Sequence, residues 1–216
     1  MTLSKDKNVE IINEIVSGQN GKKVLLVTGP SGAGKSTICS KFVKKYSKEF
    51  RLIKCHTTRN RRPSDNDSDY EFWKENDFNL ALQQGLFLNA DEYPNSLGTY
   101  SKYAFKKDSL NIPEIPIYLI TNVNDAKKFI KNNLKGYTSI IIFVTTPTKE
   151  QLEHQLITRI HSDNLGESFL QARLAIIEEE MKQLHDSNLL IINRPNELSK
   201  TIKQLHDIIS PLDTKM

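Results

Sequence analysis

The chain has 216 residues, 38% of them hydrophobic and 26% charged, with a formal net charge of +4. This balance fits one α/β domain with a real core and excludes a disordered or membrane-embedded chain, while the mild positive charge suits polyanionic small molecules without singling out DNA, RNA or a membrane. No apolar run reaches the length of a membrane span, and Met1–Asp6 lacks the apolar stretch of a secretory signal, so the expected setting is cytoplasmic. Cys39 and Cys55 read as reduced thiols, and the histidines show no metal-ligand spacing.

In chain order, Val9, Ile11, Ile12, Ile15 and Val16 share a helical stripe, predicting a short amphipathic helix over 5–16 that ends at Gly18-Gln19-Asn20-Gly21. A strand over 23–28 follows, then a glycine-rich turn and a helix from Lys35 to about Lys48 with Ile38, Phe42, Val43 and Tyr46 inward. Leu52–Cys55 reads as a second strand and 57–69, with Pro63, as a polar surface loop. Asp77 reads as the cap of a helix that stops at Gly85, Leu86-Phe87-Leu88 as a strand, and 94–99 as a turn. Ile117–Ile120 and Ser139–Val144 are continuous apolar runs, as parallel strands buried on both faces should be, with a helix at 124–133 between them. Thr148 opens a helix to about Arg159, and Ser168 caps another to about His185. Leu189–Ile192 is the last strand and Glu197–Ile209 the closing helix. Strands alternating with helices predict a central parallel sheet covered by helices on both faces.

The most informative segment is Gly29-Pro30-Ser31-Gly32-Ala33-Gly34-Lys35-Ser36-Thr37, which directly follows the apolar run Val24–Val27. A G-x-x-x-x-G-K-S pattern between a strand and a helix is a phosphate-binding loop. Its glycines let successive backbone N–H groups point inward as an anion nest, Lys35 supplies a positive charge for the β- and γ-phosphates, and the Ser36 hydroxyl can ligate Mg²⁺. The helix that starts there presents the positive end of its dipole. The segment predicts a nucleoside triphosphate site. Downstream, Arg59, Arg61 and Arg62 lie within four positions and suit a bidentate grip on phosphate, to which Tyr70 can add an O–H donor.

Taken in order, several segments resemble the guanylate kinase family: the loop Gly29–Thr37, Thr57-Thr58-Arg59 with Arg62-Pro63, Asp69-Tyr70 with Phe72, Gly98-Thr99, Leu152 with Leu156 and Arg159, and Arg173-Leu174. The resemblance runs from 22 to about 209. It implies a P-loop three-layer α/β fold with a core of 22–50 and 115–209, an inserted acceptor-binding lobe over about 51–114 and a short lid over about 159–173. Residues 1–21 would be an N-terminal helical extension and 210–216 a tail. The implied reaction moves the γ-phosphoryl of ATP, with Mg²⁺, to a nucleoside monophosphate, GMP by family default. The implied partners are small-molecule nucleotides, with neither nucleic acid nor membrane, and the chain would be a monomer or homodimer.

Carried over by residue, Gly29, Ser31, Gly32, Ala33, Gly34, Lys35, Ser36 and Thr37 would hold ATP, with Ser36 on the metal. Arg59, Arg62 and Tyr70 would hold the acceptor phosphate. Arg159 and Arg173 would act with Lys35 and Arg59 on the transferred group, although a cation at a helix C-terminus and a solvated helix face are the plain alternatives for those two lid residues. Asn193 falls where the family contacts adenine, or else caps a helix before Pro195. Asn89, Glu92, Thr99 and Asn122 would face the acceptor.

The match departs from the family at the base. Where the family has a Glu after its F-L pair, Phe87-Leu88 is followed by Asn89, with Glu92 three residues later. The family's D-I-D aligns with Ile120-Thr121-Asn122, so Ile120 replaces a carboxylate on the metal side and Asn122 one that reads guanine. Cys55, Leu97 and Gln155 replace a serine, a tyrosine and a lid arginine. A carboxylate accepts from two N–H groups of guanine at once, whereas an amide offers one acceptor and unwanted donors. Base selectivity is therefore expected to be poor. A ribose 1,5-bisphosphokinase-like enzyme and a non-catalytic binding module remain as alternatives, the second less consistent with an intact Lys35 and Ser36.

Overall fold

The computed structural model describes residues 21–210 together with Glu10. The helix expected over 5–16 lies outside the described residues apart from Glu10, and so does the stretch 211–216. The elements are β1 (Lys23–Thr28), α1 (Lys35–Lys45), β2 (Phe50–Leu52), β3 (Cys55–Thr57), β4 (Tyr70–Phe72), α2 (Glu75–Gln83), β5 (Asp91–Pro94), β6 (Tyr100–Ala104), β7 (Ile115–Leu119), α3 (Val123–Asn133), β8 (Thr138–Thr145), α4 (Lys149–Ser162), α5 (Glu167–Lys182), β9 (Leu189–Ile192) and α6 (Leu198–Ile209).

Five strands form one parallel sheet in the order β2-β7-β1-β8-β9. β1 is its centre, and alternate side chains explain its unbroken apolar run: Leu25 and Val27 enter the core on one face, Val24 and Leu26 on the other, all at most 2% exposed. The first face packs α1, α4, α5 and α6 through Ile38, Phe42, Leu156, Ile177 and Ile208; the second packs α3 through Ala126 and Phe129. With Phe42 fully enclosed against Phe50 and Tyr46, Phe42→Ala would cost about 3–5 kcal/mol. A second, mixed sheet in the order β4-β3-β6-β5 has its own small core of Phe78, Ala81, Phe87 and Ala104. No helix among the described residues is long and apolar enough to cross a membrane.

Several expected boundaries move, each for a local reason. The strand expected over Leu52–Cys55 is two strands in different sheets: the Ile53 N–H still bonds the Ile117 carbonyl, and the Cys55 N–H already bonds that of Asp69. Leu86-Phe87-Leu88 makes only an isolated bridge from Phe87 to Lys106, because Phe87 is drawn into the small core. Asp77 and Ser168 sit inside their helices, whose caps are Lys74 and Gly166 without side-chain cap bonds; acidic first turns (Glu75 and Asp77, then Glu167) serve those ends through the dipole instead. Thr148 does cap α4, accepting from the Gln151 N–H. α5 ends at Lys182 and tightens to a 3₁₀ turn over Gln183–Asp186, which contains His185. Cys39 and Cys55 are buried free thiols, each pushed up to about 12 by burial, which disfavours the thiolate.

Candidate active site

The loop after β1 opens at the carboxyl edge of the parallel sheet, where ligands of such folds bind. Gly29 has φ 128°, and a Cβ there would lie 2.1 Å from the Val144 carbonyl oxygen, so β8 leaves no room for any side chain. Gly34 ends the loop in the left-handed region at φ 85° and is the N-cap of α1. α1 carries no acidic residue in its first turn and has Lys44 and Lys45 in its last, which leaves its positive end for an incoming anion. The Lys35 ammonium folds back to donate to the carbonyls of Gly29 at 2.5 Å and Pro30 at 2.9 Å. Burial lowers it to about 8, and Arg159 and Arg173 push the same way against Glu180.

An open cleft of about 890 Å³ joins this loop to the second sheet. Ser31, Gly32, Gly34, Lys35, Ser36 and Thr37 line one end. Gly29, Ala33 and Asn193 are not among the residues lining the cleft. The Asn193 amide donates to the Ala33 carbonyl at 2.9 Å, bracing the loop from β9, and the N-cap of α6 is Glu197, so Asn193 does not cap that helix.

Arg59, Arg62, Tyr70, Arg159 and Arg173 all reach the cleft. Arg59 is largely spoken for: its guanidinium makes two 2.7 Å bonds to Asp65 and a third to the Asn60 carbonyl, and lies 4.6 Å over the Tyr70 ring. Burial works against its charge, but the Asp65 carboxylate more than restores it. Asp65 also accepts from the Arg62 N–H, so this one carboxylate shapes the loop that presents Arg62. The Arg62 guanidinium makes no ion pair among the described residues; burial, then Arg59 and Arg159, pull it below its ordinary value against Asp65. Phe169 of α5 brings that helix to it, its ring 5.4 Å from Arg62 and 5.1 Å from Arg173. The Arg159 Nε lies 3.4 Å from the Ser64 hydroxyl, and Asp163 accepts from both the N–H and the hydroxyl of Ser64, tying the end of α4 to the arginine loop.

At the far end, Asn89 and Asn122 line the cleft, whereas Glu92 and Thr99 do not. β5 alternates, turning Asp91 and Tyr93 inward and leaving Glu92 exposed opposite Lys102. The exposed Thr99 is held in the hairpin by Asn95. Ile120 occupies the wall, 7% exposed.

A sequence profile described as guanylate kinase matches residues 21–212. The chain belongs to the guanylate kinase family. A guanylate kinase of Campylobacter jejuni (strain RM1221) is 32% identical over 189 residues, covering 86% of this chain and 87% of its own. One from Rickettsia bellii is 30% identical over 193 residues, covering 88% and 95%. The crystal structure of a guanylate kinase from Anaplasma phagocytophilum superposes with a TM-score of 0.64 at 15% identity over 92% of this chain and 89% of that one, a likeness of fold.

Within this guanylate kinase fold, four site residues escaped the reading of sequence alone. Asp65 lies in a segment that reads only as a polar loop. Glu180, 9% exposed, lines the cleft with Oε2 unpartnered; burial raises its carboxyl against Lys35, Arg173 and the Ser31 N–H. Asp125 closes an Asn-x-x-Asp helix start, an N-cap signature that would have marked it. Tyr93 depends on β5, a strand that Asp91-Glu92-Tyr93-Pro94 does not announce.

Proposed function

We propose that the cleft transfers the γ-phosphoryl group of ATP to GMP. The observation that carries this reading is the convergence of Lys35, Arg62, Arg159 and Arg173 on one wall beside the anion-binding loop. Two of these cations, Lys35 and Arg62, are pulled below their ordinary values by burial and by one another's neighbours, so a polyanion relieves the site. ATP phosphates would take the loop N–H groups, the start of α1 and Lys35. Arg62 and Tyr70, steadied by Arg59, would hold the acceptor phosphate, and Asn193 would support the loop beneath the nucleotide. Arg159 and Arg173 would stand over the group in transit. Phosphoryl transfer passes through a loose transition state, so preorganised cations on its equatorial oxygens supply most of the acceleration. Arginine suits this because it stays charged and forks onto two oxygens.

Mg²⁺ fits the donor set. Ser36 presents its hydroxyl on the cleft wall, and Asp69, 3% exposed, faces that hydroxyl, which with Ser68 offsets the rise that burial imposes on its carboxyl. No group of three or more His, Cys, Asp or Glu that could hold a metal occurs among the described residues. A cation that keeps several waters and shares nucleotide oxygens needs no such cage. Ser36 would hold it, with Asp69 behind, and bound there it would neutralise charge on the phosphates.

The test is turnover of Mg·ATP against GMP, dGMP, AMP, UMP and ribose 1,5-bisphosphate. ADP release with GMP and dGMP is expected. Turnover of ribose 1,5-bisphosphate alone, or of no acceptor, would contradict the reading.

A further inference from the structure

At the acceptor end, the two amides that alignment sets against the base are already engaged. The Asn122 carbonyl oxygen accepts from the Asp125 N–H at 2.9 Å as the N-cap of α3, and its amide donates to Asp125 Oδ2 at 2.8 Å. The Asn89 carbonyl oxygen accepts from the Phe105 N–H at 3.2 Å, and its amide donates to Asp91 Oδ2 at 2.6 Å. Each amide thus spends itself on a neighbouring carboxylate, and both carboxylates line the cleft. Asp125 is fixed further by the Tyr93 hydroxyl, which donates to the same Oδ2 at 2.7 Å. Its Oδ1 accepts no hydrogen bond among the described residues. Asp91 Oδ1 accepts only from Lys128, whose side chain is 65% exposed and free to move aside.

We propose that Asp125 and Asp91 are the specificity residues of the acceptor site, and that they select a base presenting adjacent N–H donors. The inference rests on the reading of the cleft as a guanylate kinase active site and goes beyond it by naming the residues that read the base. A carboxylate pair held by Asn122, Tyr93 and Asn89 offers acceptors only. Guanine meets it with N1–H and the exocyclic amino group. Hypoxanthine has N1–H alone, and adenine turns an unprotonated N1 toward the carboxylates, which leaves buried acceptors facing one another. The two asparagines then act as positioning residues, and guanine selectivity is high rather than poor. Glu92, on the opposite side of β5, takes no part.

The experiment compares KM and kcat for GMP, IMP and AMP in the unmodified chain, Asp125→Asn, Asp91→Asn, Tyr93→Phe and Glu92→Gln, with ATP affinity measured alongside. Asp125→Asn and Asp91→Asn are expected to raise the GMP KM by about 10- to 100-fold and to narrow the preference for GMP over IMP, with ATP affinity unchanged. Tyr93→Phe, which removes one hydroxyl and keeps the ring, is expected to narrow it about threefold. Should Asp125→Asn fold poorly, Asp91→Asn and Tyr93→Phe carry the test. A collapse of GMP preference in Glu92→Gln, or full preference in all three of the other variants, would overturn the assignment while leaving the kinase reading intact. Failure of the unmodified chain to phosphorylate GMP would overturn both.

Discussion

The two ends of the cleft are built on opposite electrostatic plans. Beside the glycine loop, Lys35, Arg62, Arg159 and Arg173 crowd together; two of the anions beside them are committed, Asp65 to Arg59 and Asp163 to Ser64, and Glu180 faces Lys35 and Arg173. At the far end, Asp91 and Asp125 dominate, steadied by amides and a phenol rather than by buried cations. A ligand matched to both ends is anionic at one extremity and rich in N–H donors at the other. On the proposed reading, phosphate grip and base choice should be separable by substitution, because they rest on different side chains of the cleft.

The largest expected effect strikes the phosphate end alone. Lys35→Ala should lower kcat/KM by about 10³-fold or more and abolish measurable Mg·ATP binding by calorimetry, while thermal unfolding stays near that of the unmodified chain. Unchanged ATP affinity would remove the loop from the account.

Next is the carboxylate that supports that end from outside the chemistry. Asp65 and Arg59 are 1% and 5% exposed at their side chains, and Asp65→Asn leaves a buried guanidinium unpaired, so a loss of about 3–5 kcal/mol is expected in urea unfolding at pH 7. Burial alone would raise the Asp65 carboxyl, but the bonds from Arg59 and the Arg62 N–H outweigh it and hold it below the usual carboxylate range. A carboxyl whose value is lowered on folding contributes stability above the ordinary value near 4 and loses it as pH falls through the lowered one. The gap between Asp65→Asn and the unmodified chain should therefore shrink below about pH 4. A gap independent of pH would show that the pair is not what the mutation removes.

Glu180 marks the border of the cationic end. Glu180→Gln takes away the carboxylate facing Lys35 and Arg173, and kcat should fall roughly tenfold with the acceptor KM unchanged. A rise in acceptor KM instead would place Glu180 in the acceptor site. The smallest effect is expected at Ile120, where Asp would add a carboxylate to the cleft that Ser36 also lines. The Mg²⁺ concentration for half-maximal rate should drop about two- to fivefold, and a curve that does not move would leave Asp69 as sufficient.

How far each end could be read from sequence follows from how it is built. The phosphate end rests on contiguous backbone, so Gly29–Thr37 announces its own geometry, and β1 is legible because both its faces are buried. Arg59 and Arg62 are visible as residues, but only the folded loop shows that Asp65 occupies the first and frees the second. The far end is assembled from α3, β5 and the segment before it, so alignment pointed to Asn89 and Asn122, both on the cleft lining, without showing that each amide donates to an aspartate two or three residues on. That Glu92 does not line the cleft was not legible, because the two-residue alternation of β5 shows only once pairing with β6 makes it a strand.

The most direct test of this division pairs one substitution from each end with two acceptors. The KM values of GMP and IMP are measured in Arg62→Ala and Asp125→Asn. The account predicts that Arg62→Ala raises both by the same factor, since it touches only their common phosphate, and that Asp125→Asn raises GMP far more than IMP. A change in the GMP-to-IMP ratio in Arg62→Ala, or equal losses for both acceptors in Asp125→Asn, would contradict it.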